Sequence, residues 1–290
     1  MANKSDIKRR ILSVEGTKKI TNAMKLVAAS KFAKAAQAVT AARPFSSSFS
    51  YMVEELISNN TEDIESPYLK VVPQEKKVAL VVVSTDKGLC GSINTNLFKF
   101  SKAFINEKKQ LGVEVDVVTW GKKASSFFAK QQVKVLSSKD GLLNKIDYSK
   151  ASSYTTELSS LFLEQGYDGV YVSFTEFKSA LTQTPKVIKL LPFSFGSNEE
   201  TQVTRIGKYL VEPPLSSMID TLILKKLAIE VFQVLLDSYA SEQGSKMTSM
   251  DNATNNATEL QKKLVLQYNR ARQGAITTEL IEIVAGSQAL

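Results

Sequence analysis

The chain has 290 residues, enough for one large or two modest domains with a sizeable core. It carries 37 Lys and Arg against 29 Asp and Glu, no histidine and a single cysteine, Cys90. That composition excludes Ser-His-Asp, Cys-His and His-metal chemistry, an internal disulfide and a multi-cysteine zinc site.

The net charge of +8 is confined to one stretch, because residues 1–45 hold ten basic groups and two acidic ones while the remainder balances 27 against 27. The positive character therefore belongs to an N-terminal arm rather than to the surface at large. Asp6 and Glu15 interrupt this arm and its pattern continues past residue 40, so it is expected to be mature structure rather than a transit peptide. The longest strongly apolar run, Val78 to Val83, is far short of the roughly 18 residues of a membrane span, and a water-soluble chain is expected.

In chain order, residues 1–60 predict one long helix. Before Arg43 there is no proline and only Gly16, and Ala28 to Ala42 holds eight alanines in fifteen residues. Ile7, Ile11 and Val14 follow 4 and 3 spacing, and Ile20, Met24 and Val27 resume it, which predicts a face for a partner helix. Pro44 predicts a local kink or weakening. Residues 70–212 alternate strand-like and helix-like stretches. Strands are expected at Lys77 to Thr85, Val113 to Thr119, Val133 to Leu136, Gly169 to Phe174 and Lys186 to Leu191. Helices are expected between them, from the turn at Gly91 to about Lys109, over Gly121 to Gln131 and over Ala151 to Gln165. Such alternation predicts a Rossmann-like, mostly parallel sheet covered by helices.

Residues 214–290 begin at a Pro-Pro stop and contain no later proline. Met250, Ala253, Ala257, Leu260 and Leu264 step by 3, 4, 3 and 4, the spacing of a coiled-coil seam. At about 1.5 Å per residue the two terminal helices would be on the order of 80 and 100 Å long, so an antiparallel pair projecting from the central domain is expected. The fold class is thus α/β with a long terminal coiled coil.

The turn Asp86-Lys87-Gly88-Leu89-Cys90-Gly91-Ser92 lies between a strand and a helix, where phosphate can be cradled. It lacks the spacing of a phosphate-binding loop, so Gly88, Cys90 and Gly91 read as a tight structural turn, and no catalytic, cofactor-binding or metal-ligating residue is assigned. The basic arm is lysine-dominated, with Phe32 its only aromatic before Phe45, which argues against nucleic acid. Its alanine-rich face argues against membrane insertion. Near the C-terminus, small residues mixed with Thr and Gln from Tyr268 to Leu280 suit close packing against another protein.

Three blocks closely resemble the gamma subunit of F-type ATP synthase, in its bacterial form. They are Ile20-Thr21-Asn22-Ala23-Met24-Lys25-Leu26-Val27-Ala28-Ala29-Ser30-Lys31; Gly88-Leu89-Cys90-Gly91-Ser92-Ile93-Asn94-Thr95-Asn96-Leu97; and Met247 to Thr254 with Asn269 to Gln273 and Ile276 to Val284. The resemblance implies a non-catalytic rotor shaft, without cofactor, whose terminal helices turn inside a ring of three alpha and three beta subunits and whose sheet domain meets epsilon and the c-ring. Association with the cytoplasmic face of the inner membrane would run only through the c-ring. By position it implies ring contacts at Met24, Lys25, Lys246, Arg272, Gln273, Thr277 and Glu279, and contacts on the c-ring and epsilon side at Tyr209 and Glu212. It also implies that the basic helix faces acidic loops of beta. An enzyme with helical arms, a nucleic-acid-binding coiled coil and a paralogue serving another rotary machine are the competing readings.

Overall fold

The computed structural model describes residues 4–58, 66–70, 72–193, 212 and 214–288. The chain divides into two units, residues 1–30 with 246–290, and residues 31–245. Helix α1 (Lys4–Ser58) and helix α5 (Leu215–Gln288) each contribute to both.

The larger unit contains a five-stranded sheet of β1 (Lys77–Val83), β2 (Glu114–Trp120), β3 (Val135–Lys139), β4 (Gly169–Phe177) and β5 (Gln183–Leu191), in the order β3-β2-β1-β4-β5. The first four are parallel and β5 runs antiparallel to β4, with Phe177 opposite Gln183 and Val170 opposite Leu191. Helices α2 (Ile93–Gln110), α3 (Lys122–Phe128) and α4 (Tyr148–Leu163) connect the parallel strands. The Rossmann-like, mostly parallel sheet expected from the alternation is therefore present. All five expected strands form within a few residues of their expected bounds, and β5 supplies the one antiparallel edge.

The unbroken valines of β1 serve both faces because side chains alternate along a strand. Val78, Leu80 and Val82 pack with Leu97, Phe98 and Ile105 of α2 and with Ala124 and Phe128 of α3. Ala79, Val81 and Val83 join Leu158 of α4, Val53 and Ile57 of α1, and Ile223, Leu227 and Val231 of α5. Each of the valine, leucine, isoleucine and phenylalanine side chains among them, fully buried, contributes about 1.5–3 kcal/mol. A third cluster joins Ala35 and Val39 of α1, Leu236 and Ala240 of α5, and Phe177 at the end of β4.

Polar hubs fix the strand edges. Glu75, just before β1, accepts from Lys108 of α2 at 2.6 Å and from the Tyr171 hydroxyl of β4 at 2.6 Å, and pairs with Lys189 of β5 at 2.9 Å. Burial alone would push the Glu75 carboxyl up. The hydrogen bonds from Lys108, Tyr171 and Lys189 and the charge of Lys189 outweigh it and hold the carboxyl down to about 2. Helix α1 runs through Pro44 without interruption. Proline removes the donor to the Thr40 carbonyl, but Thr40 and Pro44 are both exposed, so water can satisfy that carbonyl.

Candidate partner-binding surface

In the smaller unit, α1 and α5 face one another in antiparallel register. Lys25 Nζ donates to Asp251 Oδ1 at 2.6 Å and Thr254 Oγ1 to Thr21 Oγ1 at 2.8 Å. The less exposed positions of α1 include Ile7, Ile11, Val14, Lys18, Thr21, Lys25 and Ala28, with Glu15, Gly16, Met24 and Ala29 half-buried beside them. On α5 they include Met250, Thr254, Ala257, Gln261, Leu264, Tyr268, Ala271 and Ala275. Both rows alternate steps of 4 and 3, the repeat of a helix-to-helix seam.

This seam corrects the expected one. From residue 20 onward the seam of α1 runs through Thr21, Lys25 and Ala28, so that of the expected row Ile20, Met24 and Val27 only Met24 stays half-buried, at its edge. Ile20 is 62% exposed and Val27 57%, whereas Ala28 is 2% exposed. On α5 Leu260 is exposed and Gln261 takes the seam position, while Met250, Ala257 and Leu264 are buried as expected. Small and polar residues line the seam here because alanine and threonine let the backbones approach and Lys25 meets a carboxylate. Ile20, Val27 and Leu260 are turned outward, while Met250 and Leu264 keep their places in the seam.

Leu12, Ile20, Leu26 and Val27 of α1 are therefore exposed on the side away from α5. On α5 the exposed apolar residues are Leu260, Val265 and Leu266, and further on Ile276, Leu280, Ile281, Ile283 and Val284. The register set by Lys25 and Asp251 places Lys4 opposite about residue 272, so Ile276 and its successors lie beyond the described start of α1. Apolar area of this extent on a helix pair marks an interaction surface. Cations flank it. Arg9 pairs with Asp6 at 3.1 Å and Lys19 with Glu15 at 2.9 Å, and the hydrogen bond and charge of Lys19 hold the Glu15 carboxyl below its ordinary range.

The residues singled out from the sequence fall as follows. Met24 is half-buried beside Lys25, whose ammonium is engaged with Asp251. Lys246 is half-buried at the start of the α5 part of this unit. Arg272, Gln273, Thr277 and Glu279 are exposed on α5, and Thr277 Oγ1 donates back to the Gln273 carbonyl at 2.9 Å. Glu212 is exposed, and Tyr209 lies outside the described residues.

In the larger unit, the turn after β1 sits where the strand order reverses, between β1 and β4, the place at which an open α/β sheet takes a ligand. Here α5 lies across that crevice. Ser245 Oγ donates to the Cys90 carbonyl at 2.6 Å and Ser241 Oγ to the Thr175 carbonyl at 3.1 Å. Cys90 is buried, Leu89 and Gly91 have positive φ of 64° and 60°, and Asn94 Nδ2 reaches Thr85 Oγ1 at 2.8 Å across the base of the turn. Asp86 accepts from the backbone of Lys122 at 3.1 Å and Gly141 at 3.0 Å, tying in the neighbouring loops. Sequence reasoning found the turn but not its docking on α5. Ser245 stands 155 residues away, with no local signal linking the two.

A helix pair with apolar side chains turned away from its own seam, and an α/β unit whose ligand crevice is crossed by its own helix, define a subunit that works through contact with other chains. A family model described as ATP synthase matches residues 3–290. The ATP synthase gamma chain of Geobacter sp. (strain M21) is 40% identical over 290 residues, covering 100% of this chain and 99% of that one. That of Christiangramia forsetii is 38% identical over 291 residues with the same coverage. Among solved structures, the central stalk and c-ring of Tetrahymena thermophila mitochondrial ATP synthase contains a chain with 26% identity and a TM-score of 0.60, covering 81% of this chain and 99% of that one. A chain of the Euglena gracilis mitochondrial enzyme shares the fold, with 19% identity and a TM-score of 0.69, covering 99% and 95%. The chain belongs to the ATP synthase gamma chain family, and its role is that of the rotor shaft.

Proposed function

We propose that this chain is a non-catalytic subunit whose terminal helices turn inside a ring of three alpha and three beta subunits, coupling ion flow to ATP synthesis or hydrolysis. The observation that carries this reading is the row Leu12, Ile20, Leu26 and Val27, turned away from the seam that α1 makes with α5. A row of that kind needs a surrounding partner rather than a second helix of its own chain. The exposed stretch of α5 from Ile276 to Val284 supports an upper contact zone, with Arg272, Gln273, Thr277 and Glu279 supplying its polar contacts. Met24, Lys25 and Lys246 border this region, Lys25 with its ammonium held by Asp251 and 37% of its side chain left open to a ring partner.

The rotor mechanism follows from asymmetry. A single pair of helices presents different side chains in different directions, so each of three equivalent catalytic subunits meets a different face at any instant. Turning the pair changes which subunit meets which face. Because contact free energy differs between faces, rotation shifts each catalytic subunit among its conformations in sequence, and hydrolysis drives the rotation by reciprocity. Bond chemistry stays in the ring. Against an enzymatic role for this chain stands the crossing of the sheet crevice by α5. We assign the segment that holds Tyr209 and Glu212 to contact with epsilon and the c-ring, and membrane association to the c-ring alone, at the cytoplasmic face of a bacterial inner membrane. Among the described residues no helix is long and apolar enough to cross a membrane.

Reconstitution with alpha and beta subunits of the same organism tests the assignment. A complex of three alpha, three beta and one copy of this chain, active in ATP hydrolysis, is expected. Elution of this chain alone, with folded and competent alpha and beta present, would overturn it.

A further inference from the structure

A rotor shaft must pass torque between its sheet and its helices. Apolar packing is non-directional and resists separation better than sliding. Besides the hydrogen bonds that Ser241 and Ser245 of α5 make to the sheet unit, two cations in the larger unit supply directional contacts that tie in both helices at once. Arg43 of α1 donates through Nη2 to the Phe177 carbonyl at the end of β4, at 2.5 Å, and to Asp237 Oδ1 of α5, at 3.1 Å. Asp237 is buried and its other oxygen accepts from Gln233 at 3.2 Å. Lys226 of α5 is 4% exposed. Its Nζ lies 3.1 Å from Glu54 of α1, 3.6 Å from Glu230 and 3.4 Å from the centroid of the ring of Phe193, two residues past the end of β5.

Each cation thus joins α1, α5 and the β4–β5 hairpin, and the two do so at opposite ends of that hairpin. Phe177 stands at its turn, opposite Gln183, and Phe193 follows the strand end where Leu191 is opposite Val170. On α1 the rung residues 43 and 54 are eleven apart, as are 226 and 237 on α5. Eleven residues make about three helical turns and span roughly 16 Å, so the two rungs share one face of each helix. One anchor leaves a pivot, whereas two separated anchors oppose both sliding and twisting.

We propose that Arg43 and Lys226 form a two-point clamp that holds the β4–β5 hairpin in fixed register on the α1–α5 pair, so that torque crosses between sheet and helices without slip. The clamp rests on the rotor reading above and names the residues through which the sheet drives the helices. They are positioning residues, for they act on the reaction only through the shaft. Burial pushes the carboxyls of Glu230 and Asp237 above their ordinary range against the pull of Lys226 and Arg43. An acid that loses its cation here will take up a proton rather than stay charged and buried, so apolar substitution of the cation is compatible with folding.

The test uses the assembled complex with its alpha–beta ring fixed to a surface and a bead on the sheet unit, reading the width of the thermal angular fluctuation at a pause. Arg43→Met and Lys226→Met are each expected to widen the variance by at least about twofold, and the double variant by more than the single effects add. In membrane vesicles the ratio of ATP-driven ion pumping to hydrolysis should fall in the same order. Should Arg43→Met not assemble, Arg43→Lys takes its place with the same expectation. It keeps a charge beside Asp237 but loses the fork that also reaches Phe177. An unchanged width and pumping ratio in an assembled double variant overturns the clamp while leaving the shaft assignment intact. Failure of the unsubstituted chain to assemble strikes the shaft assignment itself.

Discussion

If Ile20 and Val27 belong to a ring-facing row, removing their outer carbons should weaken assembly more than it destabilises the chain itself. The variant Ile20→Ala/Val27→Ala separates the two effects. Burial is worth about 0.8 kcal/mol per methylene-sized group, of which Ile→Ala removes about three and Val→Ala about two. In the chain Ile20 is 62% exposed and Val27 57%, so those fractions remain to be covered by a partner. Complete covering then contributes about 1.5 kcal/mol at Ile20 and about 0.9 kcal/mol at Val27. Together this is about 2.4 kcal/mol, or roughly 60-fold in affinity for the alpha–beta ring. The isolated chain loses the fraction already covered within it, about 0.9 kcal/mol at Ile20 and about 0.7 kcal/mol at Val27, partly offset by a few tenths of a kcal/mol at each position because alanine is the better helix former, so its net cost is about 1 kcal/mol. Equilibrium binding to the ring, with urea unfolding of the free chain alongside, reads both quantities. Affinity unchanged within twofold, or a free chain destabilised by more than about 2.5 kcal/mol, would refute the placement of these residues.

Three further outcomes follow from the geometry. The Glu75 carboxyl is held from 4.5 down to about 2, which at about 1.4 kcal/mol per pH unit amounts to about 3 kcal/mol. A depressed carboxyl stabilises above its unfolded pKa and loses that contribution as pH falls through the folded one. Glu75→Gln should therefore cost about 3 kcal/mol in urea unfolding at pH 7, with the gap closing between about pH 4.5 and 2; a gap constant from pH 7 to pH 3 would contradict it. At Gly121, with φ of 107°, an added Cβ would meet the Ser84 carbonyl oxygen at 2.2 Å. Gly121→Ala should destabilise the chain by about 2–5 kcal/mol through strained backbone and overpacking, and a thermal midpoint unchanged from the unsubstituted chain would show that reasoning wrong. Lys25 and Asp251, with side chains 37% and 43% exposed, should show a coupling of only about 0.5 kcal/mol in a double-mutant cycle of chain stability. A coupling above about 2 kcal/mol would mean the pair is far better shielded from water than its exposure implies.

Much of the fold was legible because its signals are local. The unbroken valines of β1, the proline-free alanine run of α1 and the Pro-Pro stop before α5 each act over a few residues. The direction of β5 carried no such mark, since an edge strand reads alike in either sense. The seam was misread from Ile20 onward for a physical reason. The apolar spacing points Ile20 and Val27 at the partner helix, but these two face outward and Thr21, Lys25 and Ala28 make the seam, although Ile7, Met250 and Leu264 elsewhere in it are apolar and buried. Leu260 and Gln261 repeat this on α5. The GLCG turn was visible as a turn, yet its meaning depends on Ser245, and Arg43 meets Asp237 across 194 residues. Pairings of that kind are properties of the folded chain and leave no spacing in the sequence.

The central claim concerns rotation, and rotation can be seen directly. With the alpha–beta ring immobilised and a bead attached through a cysteine introduced on an exposed residue of the sheet unit, ATP should drive unidirectional turning in three equal steps per revolution. Steady ATP hydrolysis by the same complexes with a bead that only fluctuates about a fixed angle would contradict the account.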